Sequence, residues 1–167
     1  MTMPIRAAAP DDAASVLGLI KALAEYELMP DAVKMDEVLL RAAMEAGHCR
    51  CLLAFDGSRA VGVALYFFNF STWTGTRGLY LEDLFVEPEA RNGGVGLALF
   101  KALAKIAHAE GCPRMEWQVL AWNELAAGFY RGLGAAENPD WRVWRMGTEA
   151  IGRLALDGLA VDGPDPG

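Results

Sequence analysis

The stretch YLEDLFVEPEARNGGVG, residues 80–96, joins an apolar run with two adjacent acids to a loop with three glycines. Its aromatic and aliphatic first half predicts a β-strand, which Pro88 ends. Apolar side chains then recur at helical spacing from Gly94 to Gly111, which predicts an amphipathic helix. A further strand, RMEWQVL at 114–120, completes a strand-helix-strand unit, so two strands should run parallel.

The rest of the chain predicts an α/β fold, a mixed sheet flanked by helices. Asp-Gly at 56–57 lies between two β-rich runs and indicates a hairpin. Asn123 precedes a helical segment and can cap it. The alternating run WRVWRM, residues 141–146, predicts a last strand. The other predicted elements are strands at 5–8, 50–55 and 60–70 and helices at 10–27, 35–47 and 148–158.

Length and charge limit the classes of function. With 167 residues the chain fits one domain, which we expect over residues 1–160, followed by a loose tail over 161–167. The formal charge of −7 and the lack of a basic stripe argue against a nucleic-acid partner and favour a small cationic molecule. No apolar segment approaches the ~20 residues that cross a bilayer. The first residues do not read as a secretory signal, so we expect a cytoplasmic protein without a membrane partner.

The cysteines and histidines indicate neither a disulfide framework nor a metal site. The three cysteines, Cys49, Cys51 and Cys112, are an odd number, and we interpret them as reduced thiols. His48 and His108 lie away from other ligand types at metal-binding spacing, so no metal is expected.

The glycine-rich loop has the properties of a pyrophosphate cradle. Gly93, Gly94 and Gly96 remove side chains that would keep a phosphate away, and Arg91 adds a positive charge. The first amides of the following helix have no partner inside the helix, and the helix dipole adds partial positive charge there. Neither the Rossmann fingerprint nor the P-loop fits the spacing. The alternative is a turn that merely starts a helix.

Several segments together resemble one enzyme family. Arg91-x-x-Gly94-x-Gly96 is similar to the acetyl-CoA signature of the GNAT superfamily of N-acetyltransferases. LIKALAEYE, LYLEDLFV and WNELAAGFYRGLGA resemble its diamine acetyltransferase branch, the spermidine/spermine and thialysine N-acetyltransferases, in the same order. The resemblance covers most of residues 5–146. It implies an acetyl-CoA-dependent enzyme with the GNAT fold, a central mixed sheet of six to seven strands with a splayed parallel pair.

The resemblance also implies which residues contact acetyl-CoA. The pantetheine arm would bind like an added strand along the backbone before the loop, with the Leu84 amide donating to the thioester carbonyl. Asn92 departs from the family, which often has glycine there, although its backbone N–H is unchanged. The implied contacts are Leu84, Phe85, Val86, Arg91, Asn92, Gly93, Gly94, Val95, Gly96 and Asn123.

Acetyl transfer to an amine needs a proton acceptor and a proton donor. A lysine-type amine has a pKa of ~10.4 and must lose a proton before it attacks. The resemblance assigns this proton to Glu82, through a water, and makes Tyr130 the acid that protonates the leaving thiolate. On a regular strand Glu82 and Asp83 point to opposite faces, whereas a bulge could turn both towards one cleft. The alternatives are a Glu82 paired with an arginine and a Tyr130 packed in the core.

The expected acceptor is the primary amine of a small cationic molecule: a thialysine-like amino acid, a diamine or a polyamine. The segment STW, residues 71–73, is similar to the version whose acceptor is thialysine, because the polyamine-specific version has an acid where Ser71 stands. The resemblance further implies a homodimer formed through the last predicted strand. The implied acceptor contacts are Tyr26, Glu27, Asp83 and Trp73.

Two other functions fit the same residues. A catalytically idle CoA-binding module would keep the loop without a working acid and base. A protein or peptide amine could replace the small acceptor, because the segment ENPDW, residues 137–141, is shorter than in the resembled enzymes. Direct attack in a ternary complex is favoured over an acetyl-cysteine intermediate, since no cysteine lies in the loop or in the Glu82 strand.

Overall fold

A computed structural model describes residues 3–156 of the chain. The described residues form two compact units, residues 3–118 and residues 119–156. The expected tail at 161–167 lies outside the described residues, and the single domain expected over 1–160 stays a prediction.

The first unit is a five-stranded sheet with three α-helices. The strands follow the order β1-β2-β3-β4-β5, and every neighbouring pair is antiparallel except β4 and β5, which are parallel. This arrangement confirms the predicted mixed sheet of an α/β fold. The strands are β1 (Ile5–Ala7), β2 (Arg50–Asp56), β3 (Arg59–Ser71), β4 (Thr76–Val86) and β5 (Met115–Glu116), and the helices are α1 (Ala13–Tyr26), α2 (Glu37–Glu45) and α3 (Val95–Ala109).

One face of the sheet packs against α1 and α2. Asp36 caps α2 by accepting a hydrogen bond from the Leu39 amide at 2.8 Å. Burying each large aliphatic or aromatic side chain in this interface contributes about 1.5–3 kcal/mol. The buried cluster comprises Ala13, Val16, Leu17, Leu19, Ile20, Leu40, Cys51, Leu53, Val63, Leu65 and Phe85.

A β-bulge interrupts β4 at the two adjacent acids. Leu81 lies opposite Tyr66 and Asp83 lies opposite Leu65, so Glu82 is an extra residue without a partner on β3. Tyr66 and Leu65 are consecutive and point to opposite faces of the sheet. Leu81 and Asp83 therefore also point to opposite faces, contrary to the period of a regular strand.

The parallel pair of strands separates after two residues. β4 and β5 pair only at Leu79–Met115 and Tyr80–Glu116. Within the first unit, no strand pairs with residues 81–86 of β4 on the side away from β3. The predicted splay of the parallel pair is thus present, and it begins just before the bulge.

The second unit contains two helices, α4 (Glu124–Gly132) and α5 (Thr148–Leu156). Asn123 caps α4, since its side-chain oxygen accepts a hydrogen bond from the Ala126 amide at 3.1 Å. After α4, Gly134 adopts a left-handed conformation with φ of 89°, as a helix-ending glycine does.

Two strand predictions were too generous. Only Met115 and Glu116 of the segment 114–120 form a strand, β5, and the described residues 141–146 form no strand. The sheet therefore has five described strands rather than six or seven. The alternation in WRVWRM identifies residues that could share a face, but an extended segment becomes a strand only when a neighbour pairs with its backbone.

A substitution at Gly62 would test how tightly α3 packs on the sheet. A Cβ there would lie 3.2 Å from Leu99 Cδ1 and 3.3 Å from Val95 Cγ1, so we expect Gly62→Val to destabilise the protein by about 1–3 kcal/mol through overpacking. The measurement is equilibrium unfolding in urea. As the control, Gly18→Ala on the exposed side of α1 meets no atom within 4 Å and should stabilise by about 0.5–1 kcal/mol. Unchanged stability of Gly62→Val would contradict this packing.

Candidate active site

The bulge gives the two adjacent acids different surroundings. Glu82 is exposed, whereas Asp83 is half-buried. Asp83 lies opposite Leu65, which belongs to the cluster under α1, so its side chain is on the α1 face of the sheet. The structure therefore contains the bulge, with Asp83 on the α1 face and Glu82 as the exposed extra residue. No described arginine forms an ion pair with Glu82, so the arginine-paired alternative for this acid is not observed.

Three carboxylates influence one another at this point of the sheet. Burial, and to a lesser extent the negative charges of Glu82 and Glu27, together raise the pKa of Asp83 from its ordinary 3.8 to about 6. Glu27 follows the last residue of α1, and burial raises its pKa as well. A cationic group that enters here would relieve the repulsion among these acids. The site is therefore suited to an ammonium ion.

The glycine loop presents an uncapped helix N-terminus. Gly94 precedes α3 with φ of 74°, and no side chain caps the helix. The amides of its first turn therefore keep the donors that a phosphate needs. Asn92 adopts a left-handed φ of 65°, which asparagine tolerates better than most residues. Asn92 thus forms the same turn that a glycine would form there. Gly93 and Gly96 are the other glycines of the loop.

Arg91 joins the loop to the end of β4 and to α1. Its Nε donates a hydrogen bond to the Val86 carbonyl oxygen at 2.9 Å. Its guanidinium carbon lies 4.7 Å from the centre of the Tyr26 ring and 5.6 Å from that of Phe85. Both distances are within the range of a cation–π interaction. Tyr26, expected at the acceptor, is thus placed against the loop arginine.

The splay leaves a backbone edge where an extended ligand can bind. The side chains of Phe85 and Val86 are buried, and that of Leu84 is half-buried. On the side away from β3, the backbone groups of this segment have no strand partner within the first unit. The open edge leads directly to the loop and to Val95 at the start of α3. These features fit the two parts of a CoA molecule, an amide-containing arm and a pyrophosphate.

Ser71 and Trp73 lie far along the hairpin from the acids. Ser71 pairs with Thr76, and six residues of strand, about 20 Å at ~3.3 Å per residue, separate Thr76 from Glu82. Ser71 is buried, and an Arg114 nitrogen lies 3.4 Å from its hydroxyl. Trp73 is 86% exposed. The structure therefore does not bring these two residues to the Glu82 site within one chain.

Tyr130 and Asn123 belong to the second unit. Tyr130 is in α4, where its ring centre lies 5.4 Å from that of the adjacent Phe129 in an edge-on arrangement. Asn123 has a structural role as the helix cap, which is sufficient to explain its presence. Their expected contacts with the cosubstrate stay predictions.

The described residues contain neither a metal cluster nor a membrane-spanning helix. No group of three or more histidine, cysteine or acidic side chains among residues 3–156 is arranged to hold a metal ion. None of the helices in that range combines the length and the apolar character required to cross a bilayer. Cys49, Cys51 and Cys112 are free thiols.

Comparison with known proteins gives consistent matches. The model of the acetyltransferase (GNAT) family matches residues 17–135. A thialysine N-epsilon-acetyltransferase of Bos taurus is 40% identical over 164 residues, which cover 90% of this chain and 96% of that protein. A human spermidine/spermine N(1)-acetyltransferase-like protein 1 is 33% identical over 92% of this chain and 24% of its own length. The solved structure of a V. cholerae integron cassette protein superposes with a TM-score of 0.78 at 25% identity, covering 93% of this chain and 99% of that one.

Asp83 should make stability depend on pH. The pKa of Asp83 is about 6 in the folded state, above the ordinary 3.8, so protonation of this carboxyl stabilises the fold. This stabilisation is complete below pH ~4 and is lost as pH rises through ~6. We expect Asp83→Asn to be more stable than the unaltered protein by about 1–2 kcal/mol at pH 8, with the difference vanishing near pH 4. Urea unfolding at both pH values measures this.

An exposed acid away from the site supplies the control. Glu45→Gln, at the end of α2, should change the free energy of unfolding by less than about 0.5 kcal/mol at either pH, because surface substitutions have small effects. A pH-independent effect of Asp83→Asn would show that Asp83 is not a buried acid.

Proposed function

The chain belongs to the acetyltransferase (GNAT) family and is an N-acetyltransferase, and we propose that it transfers the acetyl group of acetyl-CoA to a primary amine of a small cationic substrate. One observation carries the proposal. Glu82 and Asp83 lie at the bulge, on the stretch of β4 whose other edge has no strand partner within the first unit, and that strand leads into the uncapped N-terminus of α3. An acid site for the amine and a backbone site for the cosubstrate thus share one strand.

The cosubstrate site would consist mostly of backbone groups. Gly93, Gly94, Val95 and Gly96 would bind the pyrophosphate through amides, while Arg91 offers its remaining N–H donors. The open edge at 84–86 would pair with the pantetheine arm, and the Leu84 amide would donate to the thioester carbonyl. Acetyl-CoA, when bound, supplies the activated acetyl group. Asn92 maintains the turn of the loop by its left-handed conformation.

The three carboxylates would bind and activate the amine. Glu27 and Asp83 would hold the ammonium group, since both lie where negative charge is in excess. Glu82, exposed at the bulge, would take the proton through a water so that the amine can attack. Tyr130 of the second unit is our candidate for the group that donates a proton to the departing thiolate, because a phenol is protonated at neutral pH.

Thialysine is our preferred acceptor. The support is the name of the 40% identical bovine relative, which is a thialysine N-epsilon-acetyltransferase and matches 90% of this chain. Ser71 supports this acceptor only weakly, because its hydroxyl is buried at the far end of the hairpin. Trp73 is likewise not part of the proposed site within one chain. Diamines and polyamines remain acceptors to be tested beside thialysine.

The proposed enzyme is a cytoplasmic homodimer. The three free thiols are typical of a reducing compartment. Val143, Trp144 and Met146 are 67%, 91% and 53% exposed, and large exposed apolar side chains this close in sequence are typical of an interface. The molar mass in solution, measured by light scattering, tests the dimer.

A CoA-release assay tests the proposed reaction. We expect turnover with small cationic amines, because the acid site attracts them. Thialysine should give the highest turnover, above lysine, spermidine and a short diamine, since it is the substrate in the bovine relative's name. A lysine-containing peptide is included to detect a protein acceptor. Absence of turnover with every small amine would contradict the proposal, and turnover with the peptide alone would replace the acceptor class.

The role of Glu82 predicts a selective defect. Glu82→Gln should lower kcat/KM for the amine by about 10²–10⁴-fold, since positioned proton transfer typically contributes that much. The affinity for CoA, measured by calorimetry, should stay within twofold. Glu45→Gln, which removes an exposed acid at the end of α2, is the matched control and should leave both values unchanged. Equal activities of the two variants would remove Glu82 from the mechanism.

A further inference from the structure

The end of α1 acts on both halves of the proposed site through two consecutive residues. Tyr26 is the last residue of the helix, and its ring lies 4.7 Å from the guanidinium carbon of Arg91 in the glycine loop. Glu27 comes next, and its charge acts on Asp83. The helix end therefore contacts the cosubstrate loop through one residue, and the charge of the other reaches the acid site.

The guanidinium of Arg91 is held from several directions. Its Nε donates to the Val86 carbonyl oxygen, which fixes the base of the group. The Tyr26 and Phe85 rings lie near it at 4.7 and 5.6 Å. Nε supplies one of the five N–H donors of an arginine. The four donors on the terminal nitrogens make no hydrogen bond to another described residue, so they are available to a ligand at the loop.

The Tyr26 ring is itself fixed. Its side chain packs against the buried cluster under α1, which includes Leu17, Ile20 and Phe85. A guanidinium that stacks on a fixed ring loses fewer conformations when it binds an anion, because its orientation is set beforehand. The ring is therefore able to act on the cosubstrate without touching it.

We propose that Tyr26 is a positioning residue for the cosubstrate: its ring orients the Arg91 guanidinium towards the pyrophosphate of CoA. This differs from the acceptor contact that the resemblance implied for Tyr26, and it rests on the proposed function. Glu27 keeps the acceptor role. The two consecutive residues thus serve different substrates, and a shift of the helix end would disturb both sites together.

Calorimetry with CoA and steady-state kinetics with thialysine test the assignment. Tyr26→Leu should weaken CoA binding and raise the KM for acetyl-CoA by about three- to tenfold, the range of a cation–π contact. The KM for thialysine should change less than twofold. Tyr26→Phe keeps the ring and should restore CoA affinity to within twofold of the unaltered protein. An effect of Tyr26→Phe on the thialysine KM would indicate an acceptor contact by the hydroxyl and overturn the proposal.

A matched control removes a comparable contact elsewhere. Arg6 lies over the Phe55 ring at the same distance of 4.7 Å, on the strands β1 and β2. Phe55→Leu should leave the affinity for CoA unchanged. A loss of affinity equal to that of Tyr26→Leu would show that both substitutions act through general destabilisation.

A double-mutant cycle shows whether Tyr26 acts through Arg91. If it does, the double variant Tyr26→Leu, Arg91→Ala should bind CoA no more weakly than Arg91→Ala alone. Additive losses would overturn the proposal while leaving the proposed function intact. A failure of the unaltered protein to bind CoA at all would instead contradict the proposed function, and the role of Tyr26 with it.

Discussion

The bulge at Glu82 is the constraint on which the site depends. In a regular strand, Leu81, Asp83 and Phe85 would share one face. The extra residue at Glu82 leaves Leu81 opposite Tyr66 and moves Asp83 and Phe85 to the α1 face. Phe85 thereby joins the core, and Asp83 enters a half-buried position where its pKa is about 6. A single inserted residue thus satisfies the packing of β4 and creates an acid site beside it.

The same strand supplies the other half of the site because its second edge is free. β5 pairs with only two residues of β4, so the backbone beyond Tyr80 has no strand partner on that side within the first unit. Unpaired backbone N–H and C=O groups can form hydrogen bonds with an extended ligand. Gly94 then turns the chain into α3 without a capping side chain, which leaves donors for a diphosphate. Arg91, held by the Val86 carbonyl and two rings, completes this end of the site.

Features that depend on local periodicity could be predicted from the sequence. The helix expected from Gly94 to Gly111 is observed as Val95–Ala109, and the hairpin at Asp56–Gly57 and the cap at Asn123 are present. The mixed sheet and the glycine loop followed from the same signals.

Features that depend on long-range pairing could not be decided in this way. Two adjacent acids were compatible with a regular strand or a bulge, and only the register against β3 distinguishes them. Trp73 is close to Glu82 in sequence, yet an extended hairpin separates them. The contact between Tyr26 and Arg91 joins residues that are distant in the chain, and no local pattern indicates it. WRVWRM has the alternation of a strand, but no described neighbour pairs with it.

The central claim is that CoA binds along the open edge of β4 and at the N-terminus of α3. A titration of the isotope-labelled protein with CoA, followed by backbone amide chemical shifts, tests it most directly. The account predicts that the largest shifts occur at Gly94, Val95 and Gly96 and at residues 84–86. Shifts confined to other parts of the chain, or no shifts at millimolar CoA, would contradict it.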